Sequence, residues 1–197
     1  MDLLVIRMKR EGERVNEMTM KNKAVTYNSK ENVLDELMDS HSKKVYLLAY
    51  SYVKDQGTAE DVTQDVFIKL YNNLSSFRGE AAISSWIYRI TVNRAKDILR
   101  RRKLAHIKYP LKYFEQENQA ESTEEAYLKE SKKEQVLTAI LSLPLKYREV
   151  LILHYFHDQS IESIGKTLDQ KENTIKTRLS RGREKLKSNP LIRKELL

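Results

Sequence analysis

The sequence predicts an all-α protein: two small helical domains joined by a flexible acidic linker. Three observations carry that expectation. Five Gly and three Pro in 197 residues leave too little turn chemistry for a sandwich or barrel, which needs a turn about every 8–12 residues. Apolar residues recur instead at helical spacing, and 40% hydrophobic against 32% charged residues is enough to build small cores in water. The net charge of +8 is also unevenly placed: +3 over residues 1–30, −4 over 31–83, +8 over 84–112, −4 over 113–135 and +5 over 136–197. Solubility alone would spread that charge, whereas basic blocks separated by an acidic one read as two anion-binding faces and a connector.

The first helix spans Glu31 to Lys54, with Val33, Leu34, Leu37, Val45, Leu48, Ala49 and Val53 as its apolar stripe, a possible bend at Ser40-His41-Ser42 and a stop at Asp55 and Gly57. Thr58, with Asp61 three residues on, resembles a capping box for a second helix that buries Val62, Val66, either Phe67 or Ile68, and Leu70, and ends near Leu74. After a loop through Ser75-Ser76-Phe77-Arg78-Gly79-Glu80, Ser84 or Ser85 opens a third helix carrying Trp86, Ile87, Ile90, Ala95, Ile98 and Leu99. Pro110 and a lack of period mark residues 107–123 as irregular. A helix from about Thr123 to Leu143 stops at Pro144, which can begin the next, Leu145 to His157.

Ser160 then caps a short helix with Ile161, Ile164 and Leu168 inward. Asp169-Gln170-Lys171 turns, and a last helix buries Ile175, Leu179, Gly182 and Leu186. This is a helix-turn-helix, with Gly165 expected where its two helices cross. The resulting organisation is an N-terminal extension over 1–30, a first domain over 31–106, a linker over 107–131, a second domain over 132–190 and a tail over 191–197. Met18 and Met20 lie just before the first domain, so either is a candidate native start.

Cysteine is absent, and His41, His106 and the His154/His157 pair lack metal-ligand spacing, so neither a metal nor any other cofactor is expected. No apolar run approaches the roughly 18 residues of a membrane span, and the Met1–Ile6 block is too short for a signal peptide, which places the expected chain in the cytoplasm.

Two blocks resemble a known family. Asp61-Val62-Thr63-Gln64-Asp65-Val66-Phe67-Ile68-Lys69-Leu70-Tyr71, Ser76-Phe77-Arg78-Gly79 and Trp86-Ile87-Tyr88-Arg89-Ile90-Thr91-Val92-Asn93-Arg94-Ala95-Lys96-Asp97 are similar to region 2 of bacterial extracytoplasmic-function sigma factors. Leu143-Pro144, Arg148-Glu149-Val150-Leu151 and Thr174 through Arg183 resemble their region 4. Gly165 departs from the family's usual Ala, and Glu172-Asn173 from its frequent Pro or small residue.

The resemblance implies a promoter-specificity subunit without catalysis of its own. Its partners would be core RNA polymerase, through the β′ clamp helices and the β flap, promoter DNA, and a membrane-associated anti-sigma factor that could hold it at the inner face of the membrane. The second helix would dock on the clamp, and its Glu60, Asp61, Gln64 and Asp65 suit a basic partner. Arg89, Arg94, Lys96, Arg100, Arg101, Arg102 and Lys103 run too densely for one helix face and make a broad cationic surface beside Trp86 and Tyr88, suited to a DNA backbone near the −10 element. Asn93 is the best candidate to read a base extruded on melting; Trp86 and Phe77 are each either core or stacking platforms. On the last helix, Lys176, Thr177, Ser180 and Arg181 are placed to reach −35 base edges, Arg178 and Arg183 to grip phosphate, and Lys171 and Asn173 to do so at the helix N-terminus. A DNA-binding regulator independent of polymerase would need a sensor domain, and a recombinase would need a nucleophile among arginines; neither is recognisable here.

Overall fold

A computed structural model describes residues 27–76, 83–108 and 132–189. The described residues form seven α-helices: α1 (Tyr27–Val53), α2 (Gln56–Asn73), α3 (Ile83–Lys108), α4 (Lys132–Leu141), α5 (Leu145–Tyr155), α6 (Ile161–Leu168) and α7 (Glu172–Lys187). A 3-10 turn, Leu74–Ser76, closes α2. The readings that rest on residues 1–26, on Phe77, Arg78 and Gly79, on 109–131 and on the tail fall outside the described residues.

Helices α1, α2 and α3 pack on one another around Leu37, Val45, Leu48, Ala49, Val62, Val66, Phe67, Leu70, Ile87 and Ala95. The α1 helix starts at Tyr27, four residues before the expected Glu31, and stays one helix through Ser40-His41-Ser42. Ser40 Oγ donates back to the Glu36 carbonyl at 2.7 Å, so the hydroxyl is satisfied within the helix and forces no break. The break comes at Lys54, whose φ of 51° turns the chain. Asp55, not Thr58, is the α2 N-cap: its Oδ1 accepts from the Thr58 backbone N–H at 2.8 Å and from the Thr58 hydroxyl. Those bonds, the hydroxyl first, hold the Asp55 carboxyl below its usual range. Gly57 therefore lies inside the first turn of α2 rather than in the stop.

In the second half α5 is the hub. Its seven residues Tyr147 through Leu153 are all buried, as expected of a helix covered on every side; α4, α6, α7 and α1 pack against it. Pro144 is its N-cap, and it ends at Tyr155, two residues short of the expected His157. Arg148 Nη1 donates to the Leu141 and Leu143 carbonyls at 3.2 and 3.3 Å and so ties down the end of α4. The helix-turn-helix forms as the sequence predicts: Ser160 Oγ accepts from Ser163 N at 3.1 Å to cap α6, Asp169 turns at φ 55°, and Ile175, Leu179, Gly182 and Leu186 are the buried stripe of α7.

The two glycines divide the roles foreseen for one. A Cβ on Gly182 would sit 3.0 Å from Leu151 Cδ1, so Gly182 is where α7 crosses α5 closely. A Cβ on Gly165 would sit 2.8 Å from the Gln170 carbonyl, so Gly165 leaves room for the turn rather than for a helix crossing. The Gln170 N–H donates to the Gly165 carbonyl at 2.9 Å and closes that turn.

Helices α1 and α3 also touch α5 and α6, which brings the two halves together along one seam. Tyr52 of α1 donates its hydroxyl to Glu149 Oε2 of α5 at 2.5 Å. His157 places Nε2 2.7 Å from the Lys44 carbonyl and Nδ1 3.1 Å from the Ile152 carbonyl, with its ring edge-on to Tyr88 at 4.6 Å. Burial lowers the His157 pKa to about 4, so at neutral pH the ring carries one N–H and donates to one of these carbonyls at a time. At the far end Ser85 Oγ lies 2.7 Å from Ser163 Oγ and donates to Gln159 Oε1 at 3.1 Å.

The same substitution should therefore act with opposite sign at two glycines. Gly165→Ala is expected to lower stability by about 1–3 kcal/mol because backbone must shift. Gly57→Ala meets nothing within 4 Å and should raise stability by roughly 0.5–1 kcal/mol through helix propensity. Thermal unfolding of both variants checks this; a stabilised Gly165→Ala would contradict the packing of the turn.

Candidate nucleic-acid and partner interfaces

Three exposed strips carry the residues picked out in the sequence. On α2, Glu60, Asp61 and Gln64 are exposed, with Ile68, 60% exposed, next along the same line. Phe67 fills the core and Ile68 faces out, which resolves the ambiguity between them. An acidic strip with an apolar end offers a basic partner both attraction and a contact that expels water. Asp65 is half-buried and paired: its Oδ2 takes Arg94 Nε at 2.7 Å and Nη2 at 2.5 Å, so a residue expected at the polymerase and one expected at DNA also tie α2 to α3.

On α3, Arg89, Asn93, Lys96, Arg100 and Lys103 are all exposed. Their spacing of four, three, four and three puts them on a single line along the helix, with Arg101 exposed beside it. The broad cationic surface expected from density alone is narrower, because Arg94 and Arg102 are half-buried and bonded to protein acceptors. Arg94 pairs with Asp65, and Arg100 with Asp97 one turn back while remaining exposed. Arg102 bridges the α1–α2 joint, donating from Nη1 to the Val53 carbonyl at 3.1 Å and from Nη2 to Thr58 Oγ1 at 2.6 Å. Tyr88 is 1% exposed and belongs to the core, so it leaves the aromatic set. Trp86 is half-buried and packs against the core cluster.

On α7, Asn173, Lys176, Thr177, Ser180, Arg181 and Arg183 are exposed, with Lys171 at the N-cap. Thr177 Oγ1 donates to the Asn173 carbonyl at 2.8 Å, leaving its methyl group and an acceptor lone pair outward. Arg181 lines both shallow grooves that flank Tyr147, about 570 and 440 Å³ in volume. Lys146 and Lys185 stand over the Tyr147 ring at 5.1 and 5.8 Å. Lys146 is a cation the sequence reading missed: it lies on α5, and only the packing of α5 on α7 brings it beside Asn173 and Thr177.

Arg178, expected to face phosphate, points back into the protein. Its Nη1 donates to Glu149 Oε1 at 2.9 Å, and Nη2 reaches Gln170 Oε1 at 3.5 Å. The Glu149 side chain is only 7% exposed, and Tyr52 occupies its second oxygen. Burial first, and the Glu149 charge second, push the Tyr52 hydroxyl well above its ordinary pKa, so it remains a proton donor. Among the described residues no group of three His, Cys, Asp or Glu side chains is placed to hold a metal ion, and no helix is long and apolar enough to cross a membrane.

Family comparison covers both halves. The profile described as Sigma-70 region 2 matches residues 37–105, and that described as Sigma-70, region 4 matches residues 133–186. The ECF RNA polymerase sigma factor SigW of Bacillus subtilis (strain 168) is 32% identical over 160 residues, covering 77% of this chain and 86% of that protein. The ECF RNA polymerase sigma-E factor of Escherichia coli (strain K12) is 33% identical over 168 residues, covering 80% and 87%. In fold, the chain is similar to the sigma factor RpoE from Bartonella quintana, solved in complex with the anti-sigma factor NepR. That match has a TM-score of 0.63 at 22% identity and covers 83% of this chain and 98% of that one. CnrH, solved with the cytosolic domain of CnrY, matches at a TM-score of 0.56 and 20% identity, covering 80% and 87%.

The division of the α3 cations has a direct test. Arg102→Ala removes two interhelical hydrogen bonds and should cost about 1–3 kcal/mol of stability, whereas Arg101→Ala, on the surface, should stay within about 0.5 kcal/mol of the parent. Denaturant titration reads both. Equal stability of the two variants would remove the joint from the account.

Proposed function

The chain belongs to the extracytoplasmic-function sigma factors of the sigma-70 family, an alternative sigma factor for transcription initiation, and we propose that its three strips divide the work of that role. The α2 strip of Glu60, Asp61, Gln64 and Ile68 docks on the β′ clamp helices of core RNA polymerase. The α3 line holds the −10 element, with Asn93 reading an extruded base and Arg89, Lys96, Arg100 and Arg101 gripping the backbone. The α7 strip enters the major groove at the −35 element, with the region-4 half resting on the β flap. Catalysis is left to the polymerase, and the place of action is the cytoplasm.

The observation that carries this reading is the sorting of charge by helix: one acidic strip on α2 and two basic lines on α3 and α7, in separate halves of the chain. A protein that only bound DNA would gain nothing from Glu60 and Asp61 beside a basic domain, since like-signed charge repels phosphate. Lys171, Asn173 and Arg183 suit phosphate contact, Lys146 extends that footprint, and Asp65, Arg94 and Arg178 are positioning residues rather than contacts. Trp86 and Phe77 support the −10 pocket. A membrane-associated anti-sigma factor is the expected regulator; the structural relative RpoE was itself solved in complex with an anti-sigma factor.

Two variants separate the DNA roles in a reconstituted assay with core polymerase. Asn93→Ala should keep holoenzyme assembly and −35 binding while impairing promoter melting, read by permanganate footprinting; normal melting would remove Asn93 from the base-reading role. Arg181→Ala should relax preference at one −35 position by about 1–3 kcal/mol, as the loss of a bidentate arginine–guanine pair would. Competition among −35 variants measures it, and a uniform loss across all of them would make Arg181 a phosphate contact.

A further inference from the structure

Two tyrosines of α1 flank its apolar stripe without belonging to it. Tyr46 and Tyr50 lie one turn apart, half-buried, packed against the edge of the core with part of each side chain at the surface. Their rings are nearly parallel, at 13° with centroids 6.2 Å apart, so their electron-rich faces point the same way. The chain reverses between Val53 and Gln56, which lays the last turns of α1 beside the first turns of α2. That hairpin brings Tyr46 within electrostatic reach of Glu60 and Asp55. Burial first, and then these two charges, hold the Tyr46 hydroxyl above its ordinary pKa.

The two carboxylates differ in what they have left to offer. Asp55 Oδ1 is taken by the Thr58 backbone N–H and hydroxyl. Glu60 is exposed, and among the described residues it forms no ion pair. An aromatic face beside such a carboxylate suits a guanidinium better than an ammonium, because a guanidinium is planar and weakly hydrated. It stacks on the ring while its N–H fork meets the carboxylate. A phosphate, by contrast, is repelled by both groups. Neither ring is needed to close the core here: Val45, Leu48 and Ala49 are fully buried on the same stretch of α1 and carry its packing.

Position identifies the occupant. Glu60 is also the first residue of the α2 strip that runs through Asp61 and Gln64 to Ile68, so the tyrosines widen that strip onto a second helix. We infer that Tyr46, backed by Tyr50 and flanked by Glu60, is a seat for an arginine of the β′ clamp helices, and that docking on core polymerase spans α1 as well as α2. The inference rests on the α2 docking reading and adds to it the type of side chain that is recognised.

The dissociation constant of the full chain from core polymerase tests the seat. Tyr46→Leu keeps the apolar cover of the core edge and removes the π face, and it should weaken assembly about tenfold. Tyr46→Phe restores the ring and should recover most of that affinity. Parent affinity in Tyr46→Leu would overturn the seat, and so would a Tyr46→Phe variant as weak as Tyr46→Leu, since the hydroxyl rather than the ring would then be at work. Glu60→Gln and Asp61→Asn separate the seat from the reading beneath it. If they weaken assembly while Tyr46→Leu does not, the seat fails and α2 docking stands; if all three leave assembly unchanged, the docking reading fails with it.

A second measurement leaves Tyr46 and Glu60 in place. With the photocrosslinker p-benzoylphenylalanine substituted for Tyr50 in the full chain, irradiation of the complex with core polymerase should join it to the β′ subunit, at a peptide that carries an arginine by mass spectrometry. A crosslink to a β′ peptide without arginine or to another subunit alone, or none where the same group at the exposed Gln64 gives one, would remove α1 from the interface.

Discussion

A carboxylate buried in a protein must be paired and hydrogen-bonded on both oxygens, because the desolvation of an unpaired charge costs several kcal/mol. Glu149 is such a group, and its two partners come from opposite ends of the fold: Arg178 from the recognition helix and Tyr52 from the first helix. Meeting that requirement fixes several things at once. It sets the rotation of α5, which must aim Glu149 away from the apolar residues around it, and the register of α7 across α5, which Gly182 permits by letting Leu151 approach. It also favours the placement of α1 against α5. Removing either partner leaves a charge short of donors, so the region-4 fold and the packing of the halves are coupled through one side chain.

The same principle explains which cations are held by protein acceptors and which stay at the surface. Arg94, Arg102 and Arg178 are each spent on a protein acceptor, namely Asp65, the Val53 carbonyl with Thr58, and Glu149. What remains on α3 is a line of five polar residues at alternating spacings of four and three, which suits one strand of backbone better than a broad patch would. On α7 the exposed residues surround Arg181, which borders grooves on both sides of Tyr147. The acidic strip of α2 lies on another helix, so the proposed division would let attraction to polymerase and attraction to DNA act on separate surfaces.

Much of the fold was legible because the signals are local. The stripe Ile175, Leu179, Gly182, Leu186 and the Ser160 cap predict the helix-turn-helix from spacing alone, and each forms as expected. The region-2 and region-4 resemblance was legible too, being carried by contiguous motifs. Thr58 lost the cap to Asp55 because a positive φ at Lys54 places the turn three residues earlier, and backbone conformation of that kind leaves little trace in composition. Phe67 and Ile68 are adjacent and both apolar, and only the position of α1 and α3 decides which is covered. The roles of Arg94, Arg102, Arg178 and Lys146 were illegible for one reason: each depends on a residue of another helix, and a list of cations carries no such partner.

The central claim is that two strips in separate halves of the chain act together on one promoter in the presence of polymerase. A chain without cysteine allows an iron chelate to be tethered at single introduced sites, at Lys103→Cys on α3 and at Glu184→Cys on α7, both exposed. Mapping hydroxyl-radical cleavage of promoter DNA in the complex with core polymerase measures the claim directly. Position 103 is expected to cut at the −10 element and position 184 at the −35 element, with the two sets of cuts about 25 base pairs apart. Cuts from both positions falling within one patch of about 12 base pairs, or cuts unchanged when polymerase is omitted, would contradict it.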